Sequence, residues 1–305
     1  MQATAPGWPA LPYADWRDSK DTLHLYLQIV GKLRLALAPP VNHWWHVTLY
    51  VDARGLTTGA MPTGAGACEI AFDFVDHALR IDTSAGQRAS FPLHDGLAVC
   101  DFYEALRDRL AALGVRADIH PHPYDCMSTI PFVEDRVHAR YDAAAVQRFW
   151  RALVAIAGVF EAFRGRFVGK STPVHLFWHT FDLAVTRFSG RAAPPMPGAS
   201  RVMREAYSHE VASFGFWAGD ENVPYPAFYS YTFPEPAGLR AAPLQPSGAA
   251  WTARPNGSSL AIYPYEDART AADPAAALLQ FLESAYRAGA AAAGWDIEAL
   301  AHRPR

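Results

Sequence analysis

A chain of 305 residues that is half hydrophobic and 13% aromatic can bury enough apolar surface to offset the ordering entropy of a core, which excludes a disordered chain. Its net charge of −3 provides no field to draw it to nucleic acid or to an anionic membrane. Three widely spaced cysteines, Cys68, Cys100 and Cys126, suggest neither a disulfide framework nor a thiolate zinc site.

The N-terminus lacks the basic and apolar regions of a signal peptide, and no uncharged apolar run approaches the roughly 20 residues of a membrane span. The expected setting is cytoplasmic, without a membrane partner. Asp21 to Ala38 places Leu23, Leu27, Val30, Leu33 and Leu37 at helical spacing, and Pro39 and Pro40 stop that helix. WWHVTLYV, CEIAFDF, ALRIDT and RASFPL then read as an antiparallel meander. A helix over Leu97 to Leu113 is closed by Gly114, and VRADIH is a short strand candidate.

The pattern restarts with a helix over Asp142 to Phe163, with Asp142 as N-cap. Strand-like segments follow at PVHLFWH, FDLAVTRF, HEVASFGFW, AFYSYTF and SLAIYPY, and a last helix runs from Pro274 to Ala293 behind Asp273. PVNHWWH at Pro40 to His46 returns as PVHLFWH at Pro173 to His179, and the same offset carries Arg54 to Arg187. The predicted fold is therefore α+β, built from two pseudo-repeated helix–antiparallel sheet–helix units, 1–120 and 121–305. These form a two-layer body with a central cleft, the halves packing as one domain or two. That cleft is the expected site.

His175 and His179 are four apart in a predicted strand, about 13 Å from each other, and cannot share a metal. His209-Glu210 lacks the second histidine of a zincin helix, Gly169-Lys170-Ser171 lacks the first glycine of a phosphate loop, and no GxSxG is present. A scattered set of His175, His209 and Asp182 could hold a divalent metal ion, with Glu210 as base. Arg187 and Arg191 bracket a serine and a glycine in TRFSGR. With Lys170, they suit a carboxylate or phosphate on a ligand. Tyr207, Trp45 and Trp178 offer apolar bodies with hydrogen-bonding tips for a flat small molecule.

NHWWHVTLYV, RFVGKSTPVHLFWHTFDLAVTRFSGR, REAYSHEVASFGFW and AFYSYTFPEP together resemble a bacterial family catalogued as a domain of unknown function, DUF5996, over nearly the whole chain. The family pattern usually has glycine where this chain has His179, which favours His175 and His209 as functional groups. The resemblance implies no established activity. The expectation is an enzyme acting on a small anionic substrate. His175, Asp182, His209 and Glu210 would do the chemistry or hold a metal, and Lys170, Arg187, Arg191, Trp178, Tyr207 and Trp45 would bind the ligand. The alternative is a non-catalytic small-molecule sensor built from the same residues.

Overall fold

The first amphipathic pattern forms α1, Tyr13–Leu37, which begins well before Asp21 because Tyr13 and Trp16 are also buried and extend its apolar face. In the computed structural model, which describes residues 7–302, the protein is α+β and its chain divides into two units. The first unit comprises Ala14–Trp150 with His175–Asp182. The second comprises residues 7–13, Arg151–Val174 and residues 183–302.

In the first unit α1 leads through 3-10 turns at Asn42–Val47 into β1 (Tyr50–Val51), β2 (Gly55–Thr57), β3 (Met61–Thr63), β4 (Gly66–Asp73), β5 (Ala78–Thr83) and β6 (Arg88–Pro92). The strands pair antiparallel in the order β1-β2-β4-β5-β6, with β3 also on β4. α2 (Val99–Ala112) ends where Gly114 takes a left-handed φ of 70°, as its cap position predicts. Residues 113–142 carry no helix or strand. α3 (Ala143–Arg164) then starts with Asp142 Oδ1 accepting from Ala145 N at 3.1 Å, the expected N-cap. β7 is only His175–Phe177.

The core of this unit is aromatic. Tyr26 of α1 stacks on Phe102 at 4.1 Å, and Phe149 stacks on Phe181 at 5.0 Å with Trp16 beside it. By length and composition α3 could cross a membrane, yet half of its apolar window is buried inside the fold.

The second unit holds β8 (Asp182–Ala192), α4 (Arg201–Ala206), β9 (His209–Trp217), β10 (Ala227–Phe233), β11 (Ala250–Ala253), β12 (Ser259–Pro264), α5 (Tyr265–Arg269), α6 (Pro274–Ala292) and α7 (Ile297–Leu300). Its strands lie in the order β11-β12-β10-β9-β8. α6 starts behind Asp273, whose carboxylate accepts from Ala276 N at 3.0 Å, and packs on β9 and β10.

Two sequence expectations fail. VRADIH forms no strand, and WWHVTLYV is strand only from Tyr50. Instead His43 and Trp44 take left-handed backbone (φ 58° and 62°), and the Val41 N–H bonds to His46 Nδ1 at 3.2 Å, closing a turn that overrides the β-propensity of the aromatics. The two echo strings therefore differ in conformation. The second string meets the residues just after the first: Leu49 and Leu176 exchange backbone hydrogen bonds of 2.9 and 2.8 Å, and Trp178 Nε1 donates to Val47 O at 2.9 Å.

Trp178 is pressed onto α1 where the helix has Gly31; a Cβ there would lie 2.1 Å from Trp178 Cγ. Alanine is ordinarily the better helix residue by about 1 kcal/mol. Gly31→Ala is nevertheless expected to destabilise, because overpacking costs about 1–3 kcal/mol and this overlap is severe. Urea unfolding followed by tryptophan fluorescence measures it, and a more stable variant would show that Trp178 is free to move.

Candidate functional site

α1 is buried on nearly every side, and one of its buried faces is polar. Lys20, His24, Gln28 and Lys32 follow one another at four-residue spacing with 5%, 9%, 0% and 8% exposure. Burying such groups is costly unless each finds a partner. Lys20 pairs with Asp21 at 2.7 Å and lies over the Phe181 ring. His24 Nε2 donates to the His179 carbonyl at 3.1 Å. Gln28 donates to Tyr124 O at 2.7 Å while its Oε1 accepts from Tyr124 N at 2.9 Å. Lys32 stands 5.8 Å over the ring of Trp178.

Two segments cover this face. One is the irregular stretch around Tyr124 to Cys126; the other is the turn Trp178 to Asp182. Each contains a left-handed non-glycine residue, Asp125 (φ 53°) and Phe181 (φ 59°). Strain of this kind costs about 1–3 kcal/mol per residue and gathers at functional sites. Phe181 uses its conformation to put its ring against His24 (5.1 Å), Phe149 and Trp16.

Burial sets the protonation states. It holds the His24 imidazole down at about 3, reinforced by the Lys20 cation one turn earlier, so His24 is neutral. It holds the Lys32 amine below the usual lysine range, opposed by Cys126, and pushes the Cys126 thiol up. His179 is also lowered by burial, with Asp182 and Asp125 opposing. Perturbed titratable groups converging on one helix face mark a candidate site.

The model of a family of unknown function, DUF5996, matches residues 8–302, which is nearly all of the chain. The chain belongs to the DUF5996 family. No curated protein and no solved structure matches it.

In this DUF5996 chain the residues singled out from sequence fall into both units. His175, Trp178, Asp182 and Trp45 belong to the first. His175 is fully buried with its ring 4.7 Å from Phe177, Trp45 lies against His43 at 5.3 Å, and Asp182 accepts from Thr180 Oγ1. Lys170, Arg187, Arg191, Tyr207, His209 and Glu210 belong to the second. Among the described residues no three His, Cys, Asp or Glu side chains converge as metal ligands, so the set of His175, His209 and Asp182 is not assembled.

The cationic cluster also takes another form. Arg187 is 1% exposed, its guanidinium 3.4 Å from the Phe163 ring centre and 4.4 Å from that of Tyr286, donating to Phe163 O. Burial brings it down to about 10, and the aromatic cage shields it from solvent-borne anions. Ser189 Oγ and Arg191 Nε both donate to Glu210 at 2.8 Å, so the protein's own carboxylate fills the anion position proposed from TRFSGR. Arg191 also caps α6 through Ala293 O at 2.7 Å. Glu210 is thereby an ion-pair partner rather than an open base. Lys170 is exposed over the Phe188 ring at 4.9 Å, Tyr207 bonds the Tyr231 hydroxyl at 2.9 Å, and His209 bonds Ser208.

A depression of about 520 Å³ in the second unit, lined by Glu235, Arg240 and Ser258, is open to solvent. Its charged groups are engaged with Ser259 and the Gly257 carbonyl. The α1 face is the better candidate. Its signal in the sequence was the spacing of Lys20, His24, Gln28 and Lys32, which a search for apolar periodicity passes over.

Proposed function

We propose that this is a small-molecule enzyme whose site is the polar face of α1 in the first unit, taking a small anionic substrate with a flat or apolar body. The observation that carries this reading is Lys32. It is 8% exposed, and among the described residues no carboxylate lies within ion-pair distance of it, whereas Lys20 has Asp21 at 2.7 Å. A largely buried ammonium with no carboxylate beside it is one that a ligand anion would stabilise. Trp178, pinned by Val47 O and by Gly31, supplies a fixed wall for the ligand body. The clustering of Lys32, Cys126, His24 and His179 favours chemistry over simple retention of a ligand.

Thermal unfolding with glyoxylate, pyruvate and inorganic phosphate tests the site. At 100 times the dissociation constant a bound anion stabilises by about 2.7 kcal/mol. The shift is expected in the native protein and absent in Lys32→Met, which should fold at least as stably because an unpaired charge has been removed. No shift with any of the probes, or equal shifts in both proteins, would remove Lys32 from the site.

A further inference from the structure

Only three of the chain's 27 basic residues are lysines: Lys20, Lys32 and Lys170. Arginine holds the ion pairs with Asp73, Glu210, Glu205 and Glu266. A chain that uses arginine so widely as its permanent cation nonetheless has lysine twice on one buried helix face. What lysine adds is an amine that can lose its proton and act as a nucleophile.

The two buried lysines differ. Lys20 is tied to Asp21 at 2.7 Å. Lys32 has no such partner among the described residues; its amine lies over the Trp178 ring with Cys126 in electrostatic reach. Trp178 is held at both its edge and its face, by Val47 O and by the bare backbone of Gly31. Tyr124, fastened to Gln28 through its backbone, fixes the segment that leads into Cys126. A partly desolvated amine beside a rigid aromatic wall is a setting in which a lysine can add to a carbonyl carbon.

We propose that Lys32 is a covalent site, forming an imine through Nζ with a small anionic aldehyde or oxo acid. The proposal rests on the reading of the Lys32 face as the substrate site and narrows its substrate class to carbonyl compounds. The neutral amine's lone pair forms the N–C bond, and the carbonyl oxygen takes up a proton to give a carbinolamine. The two protons lost from nitrogen depart with that oxygen as water, leaving C=N. No oxidant or reductant is consumed.

The test incubates the full-length protein with glyoxylate and cyanoborohydride, which reduces any imine to a stable secondary amine, followed by proteolysis and peptide mass spectrometry. The adduct is expected on Lys32 ahead of Lys20 and of the exposed Lys170, and is expected to be missing from Lys32→Arg. Equal labelling of Lys170 and Lys32 would overturn the proposal as non-selective amine chemistry. A glyoxylate-dependent thermal shift without an adduct on Lys32 would overturn the covalent step while leaving the binding site intact. Absence of both shift and adduct would overturn the site reading as well.

Discussion

Replacing Asp73 with alanine is expected to lower stability by about 3 kcal/mol. Asp73 ends β4 with no exposed surface, and its carboxylate accepts from Arg54 Nε at 2.5 Å, from Val75 N at 3.0 Å and from Asp76 N at 2.9 Å, with Arg80 at 3.2 Å. Removing it leaves the two turn amides without their acceptor, about 1–3 kcal/mol for a buried group, and deletes charge-assisted bonds worth about 1.5–3 kcal/mol each. Both arginines are about 40% exposed and can rehydrate, so the total stays below the sum. Asp73→Asn keeps an acceptor for the turn and should fall between the two. Urea denaturation at neutral pH ranks the three proteins, and equal midpoints for Asp73→Ala and the native chain would show that this network adds nothing. Burial alone would raise this carboxyl, but the hydrogen bonds from Arg54, Asp76 and Val75 outweigh it and hold it low. Its contribution is therefore present above the ordinary aspartate range and is lost as pH falls through the lower folded value.

Acidification is expected to act through His24 as well, in a higher pH window. With the folded imidazole held at about 3 and the unfolded one near 6.5, the unfolded chain binds a proton that the folded chain refuses everywhere between those values. Stability should then fall as pH drops below about 6.5, at about 1.4 kcal/mol per pH unit. His77 and His179 are lowered too and add to the same limb, so the diagnostic quantity is a difference. His24→Gln, which keeps a donor for the His179 carbonyl, should have a slope shallower by about one proton between pH 4 and pH 6. Parallel slopes would mean that His24 is protonated in the folded protein.

Most regular elements could be read from the sequence because their burial is periodic. β9 and β10 coincide with HEVASFGFW and AFYSYTF, and the caps at Asp142, Asp273 and Gly114 are where side-chain chemistry puts them. Asn42–Val47 could not be read in this way, since a single backbone-to-histidine bond and two left-handed residues decide it. The candidate site was half legible. Trp178 is marked in the sequence by its aromatic body, whereas Lys32, His24 and Gln28 are hidden by the apolar residues between them. Polar residues on a helix normally face water, and only the tertiary cover reveals that this face does not.

The Gln28 amide meets the main chain at position 124, in the way that one strand meets another, and leaves the tyrosine side chain 56% exposed. The identity of the residue there is therefore uncoupled from the placement of the segment. Substitutions at position 124 are expected to leave the covering chain in register, because a single glutamine on α1 holds it through the main chain.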